Sequence, residues 1–316
     1  MVWNRRHFIQ FGAGVGFASI FSQFPRIVAA DENDAAELKI TQIHISAGAS
    51  QPFRAIHDSD SHFCFADDRE NERKRKLASD RVRYFRQGEA FFDAAMAYAR
   101  KNNELFLHTG DLIDFVSEKN LEAVAAKFDG AYCFVSSGNH EFSQYVGEAK
   151  EDAAYKAQSY NRVQKAYPND LTFCSRIING INFVAIDDVY YNFTHEQLLR
   201  FQAEVEKGLP IVMLCHCPLY TPELFEKAME QPNAKCAYLV GVPEESRKSY
   251  EPARRNQQQP DAPTTELIDW LREQPLLKAI LCGHLHYHWS GQFSKYATQH
   301  VVAGNYLGEA NEILFD

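Results

Sequence analysis

The residues of this chain that could do chemistry stand in groups, each at the end of an apolar run. The run at 132–136 stops at Gly138-Asn139-His140-Glu141, which offers an amide, an imidazole and a carboxylate beside a tight glycine turn. The run at 105–109 stops at Gly110-Asp111, with Asp114 close behind. After 53–57 comes Asp58-Ser59-Asp60-Ser61-His62, where Asp60 and His62 in extended backbone would share a face and grip one cation. Runs at 210–215 and 279–282 lead into His216-Cys217-Pro218 and Gly283-His284-Leu285-His286. One such loop is an ordinary polar turn. Five in one chain point to a site.

The donors are carboxylates, an amide and imidazoles, with no thiolate required. That mixture suits Mn, Fe or Zn rather than a structural cysteine site. There are enough donors for two ions, with one carboxylate left to lie between them. Paired metals ~3.5–4 Å apart serve attack on phosphorus, because they activate water, hold phosphoryl oxygens and stabilise the leaving group.

The elements that must position these loops read as strands of a parallel sheet. The strand at 105–109, a helix at 121–128 and the strand at 132 form a βαβ unit. The carboxyl ends of such strands are where open α/β sheets place their sites. An alternating, β-branched stretch at 38–45 opens the fold. Residues 67–103 read as one long helical stretch whose basic face (Arg73-Lys74-Arg75-Lys76, Arg81, Arg83, Arg86) is solvated. An arginine of that stretch lying near the site could hold phosphate. A surface helix is expected over 148–166, and a hairpin over 173–186 around Asn179-Gly180. Asp187 and Asp188 at its end read as turn or supporting residues. Thr194 and Gln197 form a capping box for a helix to 207.

Residues 218–262 are long, proline-rich and polar, and read as a lid or specificity loop. A helix at 264–273 follows, and 289–293, 300–303 and 312–315 are expected as closing antiparallel strands. The sequence shows no internal repeat, no glycine-rich phosphate loop and no second domain boundary.

A chain of 316 residues can bury the core of one large α/β domain. Its formal charge of −9, more negative without the arginines of residues 1–30, disfavours a stable nucleic-acid partner. The seven cysteines include no C-x-x-C pair, which excludes a zinc knuckle or a thioredoxin-like site. At the N-terminus, Asn4-Arg5-Arg6-His7-Phe8-Ile9 precedes a glycine-interrupted apolar stretch and then Val28-Ala29-Ala30. That order is a secretory signal over 1–30, and its paired arginines resemble a twin-arginine signal. The stretch is short for a membrane span, which needs ~20 apolar residues. The expectation is a periplasmic or secreted bacterial protein, handled by the twin-arginine export machinery and cleaved after Ala30. It would keep no stable membrane span after cleavage, and one domain over 38–316.

The series Asp60-x-His62, Gly110-Asp111, Gly138-Asn139-His140-Glu141, His216 and Gly283-His284-x-His286 resembles the calcineurin-like metallophosphoesterase family, in that family's order. The resemblance implies a four-layer α/β/β/α sandwich with mixed sheets and a metal site at the strand ends. It implies that Asp60, His62 and His286 hold one metal, and Asn139, His216 and His284 the other. Asp111 would bridge the two, and His140 would stand near the scissile phosphate as general acid or electrostatic stabiliser. The function implied is hydrolysis of small phosphate mono- or diesters by metal-activated hydroxide, using two Mn, Fe or Zn ions. Purple acid phosphatases carry a metal-binding tyrosine where this chain has Asp114, so an iron–tyrosinate centre is not expected.

Two other readings compete with this one. A nuclease is disfavoured by the acidic surface, and a non-catalytic metal-binding envelope protein by the presence of His140. His44, His57, His108, His195 and His300 read as structural or surface residues. Asp58 and Asp114 are candidates to orient ligands, and Cys215 and Cys217 read as core on the face opposite His216.

Overall fold

Strands buried on both faces explain why the apolar runs of this sequence are continuous rather than alternating. The computed structural model describes residues 26–28, 37–143 and 153–316. Apart from β1 (Arg26–Val28), which pairs antiparallel with β2 (Leu38–Ile45), the predicted signal segment lies outside the described residues. So does the start of the helix expected from 148.

The chain continues through β3 (Phe53–Asp58), α1 (Glu72–Arg81), α2 (Gly88–Asn102), β4 (Leu105–His108), α3 (Glu118–Phe128) and β5 (Cys133–Val135). Next come α4 (Ala153–Gln164), β6 (Phe173–Ile178), β7 (Ile181–Ile186), α5 (His195–Glu206) and β8 (Ile211–Leu214). Three short helices follow, α6 (Pro222–Met229), α7 (Glu244–Arg247) and α8 (Pro252–Gln257). The last elements are α9 (Ala262–Arg272), β9 (Leu277–Cys282), β10 (Trp289–Gln292), β11 (Thr298–Val301) and β12 (Glu309–Phe315).

Two six-stranded mixed sheets result, ordered β1-β2-β12-β3-β4-β5 and β10-β11-β9-β8-β7-β6. The period of two in each strand divides its side chains between two cores. Leu105, Leu107 and Phe134 of the first sheet meet Phe183, Leu214 and Leu281 of the second in a core between the sheets. Phe106, Val135 and Ile56 face outward onto α2 and α3 residues such as Phe92 and Val124. Val184, Met213 and Ile280 face outward onto Leu198 of α5 and Leu271 of α9. Helices, sheet, sheet, helices: the four-layer α/β/β/α arrangement is present.

Several expectations need correction. The stretch 67–103 is two helices, because the chain breaks at 82–87 between α1 and α2. Its basic face is not wholly solvated either: Lys74 is buried, 2.9 Å from Glu70 and donating to the Val116 carbonyl. Residues 218–262 are not an open loop, since they form α6–α8 and bury Leu224, Leu239, Val240 and Val242. The closing strands are not all antiparallel. β11 runs parallel to β9, and β12 crosses to the other sheet, where it lies parallel to β2 and antiparallel to β3. An apolar strand at the chain end carries no local mark of which sheet it will join.

Candidate metal centre

β3, β4 and β5 are mutually parallel, as are β8 and β9, so their carboxyl ends open toward a common region. The loops there are tied to one another beyond the strands. Asp60 and His62 donate their backbone amides to the carbonyls of Gly110 and Asp111, each at 3.0 Å, and Gly283 donates to the His216 carbonyl at 3.0 Å. The expectation of extended backbone at Asp60 and His62 is wrong. Asp60, His62, Asp111, His284 and His286 all adopt left-handed φ, between 50° and 68°. Non-glycine residues pay of order 1–2 kcal/mol for that conformation, and its concentration on these five turns their side chains into one space.

Glycines make the approach possible. A Cβ on Gly138 would lie 2.3 Å from Asp111 Oδ1, and one on Gly283 would lie 1.9 Å from Ser59 Oγ.

The side chains converge in two groups. His286 Nε2 is 3.1 Å from Asp60 Oδ1 and 3.3 Å from His62 Nε2. His216 Nε2 is 3.0 Å from His284 Nδ1 and 3.1 Å from Asp111 Oδ2. Asp111 Oδ2 is also 3.9 Å from His62 Nε2, so this carboxylate stands between the groups. Asn139 Oδ1 is buried with no hydrogen-bond partner, a costly state unless an ion completes it. The donor set and this bare oxygen fit a pair of cations.

Charge supports the fit. Burial opposes ionisation of Asp60 and Asp111, yet the surrounding imidazoles outweigh it and hold both carboxyls well below the usual range. Burial lowers His62, and burial with the neighbouring His216 lowers His284 to about 3, so both rings keep a free lone pair. His216 goes the other way: burial opposes its charge, but Asp111 raises it well above the ordinary value. A cation bound between His216 and Asp111 would take over the role of that proton.

Each of these four imidazoles has its far nitrogen held. His216 Nδ1 donates to the Thr109 carbonyl at 2.7 Å, and His62 Nδ1 is 3.2 Å from Asp114 Oδ1. His284 Nε2 is 3.0 Å from the Tyr191 hydroxyl, and His286 Nδ1 is 3.2 Å from the Tyr306 hydroxyl. Outer partners of this kind set tautomer and ring orientation. Tyr191 and Tyr306 were not foreseen, since neither belongs to a strand-end motif. Arg81, from the basic stretch, grips Asp114 with two nitrogens at 2.8 and 3.0 Å, so its guanidinium supports the centre rather than waiting for phosphate. Cys217 is core, as expected, but its sulfur lies within 4.8 Å of the nearest His216 and His284 nitrogens. A thiol thus stands at the edge of that group.

His140 stands at the edge of the first group, its ring 4.7 Å from that of His62, with Nε2 3.9 Å from Asp111 Oδ2 and Nδ1 2.8 Å from the Asp114 carbonyl. Burial disfavours its charge, but Asp111 and Asp114 more than compensate and raise its pKa. A partly exposed imidazole whose pKa is raised beside a cluster of donors is placed to donate a proton.

The model of the calcineurin-like phosphoesterase family matches residues 53–288, a span that holds every one of these loops. The chain belongs to that family. This phosphoesterase is therefore a metal-dependent hydrolase of phosphate esters, and the dinuclear centre of its family agrees with the two donor groups. Comparison with solved structures finds similarities at low identity. A dimetal phosphatase from Danio rerio is 14% identical, with 80% of this chain and 88% of that one covered and a TM-score of 0.48. A phosphopantetheinyl hydrolase from Mycobacterium tuberculosis is 11% identical, with 79% and 89% covered and a TM-score of 0.41. A 5'-nucleotidase from Candida albicans is 13% identical, with 80% and 46% covered and a TM-score of 0.40. No curated protein sequence matches the phosphoesterase.

Proposed function

We propose that the protein is an exported phosphoesterase that hydrolyses small phosphate mono- or diesters at a dinuclear centre of Mn, Fe or Zn. The observation that carries this reading is Asp111, whose Oδ2 stands between the two donor groups with His140 beside it. Asp60, His62 and His286 would hold one ion and Asn139, His216 and His284 the other, with Asp111 available to both. The ions, when bound, supply positive charge for the phosphoryl oxygens and a nucleophile derived from water.

The chain's own residues do the rest. Asp111 accepts the His140 backbone amide at 2.8 Å through Oδ1, which leaves Oδ2 facing the two donor groups and fixes His140 relative to them. Asp114 keeps His140 Nδ1 engaged, so the proton that His140 transfers to the leaving oxygen comes from Nε2. Asp114 also aligns His62, and Tyr191 and Tyr306 align His284 and His286.

The test is hydrolysis of para-nitrophenyl phosphate and its diester by protein reconstituted with Mn²⁺. Activity is expected on at least one ester, and His140→Asn should lower kcat by roughly 10²–10⁴-fold with metal retained. Unchanged kcat in that variant would remove His140 from the chemistry. Cleavage of plasmid DNA without ester hydrolysis would favour the nuclease reading.

Export rests on the N-terminal sequence, where Arg5 and Arg6 precede the apolar stretch and Val28-Ala29-Ala30. Replacing both arginines by lysine should leave the precursor in the cytoplasm by cell fractionation. Arrival in the periplasm would refute the twin-arginine assignment.

A further inference from the structure

Beside the centre lies a cavity of about 460 Å³, within the range of small-ligand sites. His284 is in its wall, so it opens directly on the second donor group. The remaining wall comes from the turn after α6 and from the loop that carries His284. Its polar and aromatic members are Gln231, Asn233, Lys235, Tyr238 and Tyr287. The turn is anchored next to His216: Val240 donates its amide to the Pro218 carbonyl and Tyr220 to the Val240 carbonyl, each at 2.9 Å. Asn233 and Tyr238 hold left-handed φ of 61° and 55°, a strained backbone that recurs where a binding wall is shaped.

We infer that this cavity receives the alcohol portion of the substrate, and that this portion carries a planar, uncharged ring with hydrogen-bonding edges, of nucleoside size. Three observations select that class. The Tyr238 ring lies 5.8 Å from the His284 ring, and the Arg254 guanidinium lies 5.3 Å over it, so this wall beside the centre is an aromatic face held in place. Such faces stack on planar heterocycles. The buried Tyr287 hydroxyl has no hydrogen-bond partner, and the Gln231 and Asn233 amides offer both donors and acceptors to a ring edge. The lining contains no carboxylate, although the chain is acidic overall, and its one charged side chain is Lys235. A cationic alcohol such as choline, which aromatic rings also attract, would meet Lys235 and Arg254, and the nearby carboxylate of Glu251 is already paired with Lys235 at 3.6 Å.

The inference rests on the proposed phosphoesterase site for the position of the phosphate and on the cavity alone for the ring. Two measurements on the full chain separate these. In the Mn²⁺-reconstituted enzyme, kcat/KM for AMP is expected to exceed that for glycerol phosphate and phosphocholine by about tenfold or more, chiefly through KM. Tyr287→Phe, which removes only the orphan hydroxyl, should erode that advantage about fivefold, and Asn233→Ala at the exposed end of the cavity should erode it as well. In calorimetry, adenosine, which has no phosphate, should bind the full chain and bind Tyr287→Phe more weakly. Equal kcat/KM for the three esters, or adenosine that does not bind, would overturn the inference. If no ester is hydrolysed, the proposed function fails while adenosine binding still decides the cavity.

Discussion

Glu141 does work that no pattern in the sequence announces. Its buried carboxylate accepts from the backbone amides of Gly138, Asp111 and Leu112 at 2.6, 2.8 and 2.8 Å, and from the Tyr167 hydroxyl at 2.8 Å. It therefore ties the loop carrying Asn139 and His140 to the loop carrying Asp111. Glu141→Ala strands several buried donors at once, and a loss of about 3 kcal/mol or more is expected in urea unfolding. A loss under about 1 kcal/mol would show that the clamp contributes little. The ligand candidates themselves were legible, because each follows an apolar strand and the strand endings are visible. Their supports were not. Tyr191 and Tyr306 reach His284 and His286 from distant parts of the chain. The left-handed backbone at Asp60 and His62 was also hidden, since Asp and His visit positive φ too seldom for the residue type alone to announce it.

At the scale of elements, local signals read true and long-range pairing did not. The hairpin turns at Asn179-Gly180 with positive φ at both residues, and the Thr194–Gln197 capping box is formed. The placement of β12 between β2 and β3 has no local cue, and it has an electrostatic consequence. It brings Glu312 to the side chain of Glu104, between α2 and β4. Burial and then the Glu312 charge push the Glu104 carboxyl up to about 7. A carboxyl raised in the folded state binds its proton more tightly there than in the unfolded chain. The stability from this proton is fully present below the unfolded pKa of about 4.3 and is lost as pH rises through about 7. Glu104→Gln should flatten the fall in Tm over that window. An unchanged slope would mean that Glu104 does not titrate there.

On the scale of the whole molecule, the centre exists only because two sheets dock. Asp60, His62, Asp111 and Asn139 come from strand ends of the first sheet, and His216, His284 and His286 from the second. Among the described residues no helix is long and apolar enough to cross a membrane. The segment between β8 and α9 folds against the second sheet and walls the cavity beside His284. Its composition suggested a lid or specificity loop without helices, because the buried positions in it, such as Leu239 and Val242, are scattered among polar residues. On the proposed reading, seven side chains would hold two cations with Asp111 shared between them. Metal content after Mn²⁺ loading and dialysis, by plasma mass spectrometry, decides this. Two ions per wild-type chain and fewer than two in Asp111→Asn are expected, whereas a single ion in the wild type, or two retained by the variant, would refute the shared carboxylate.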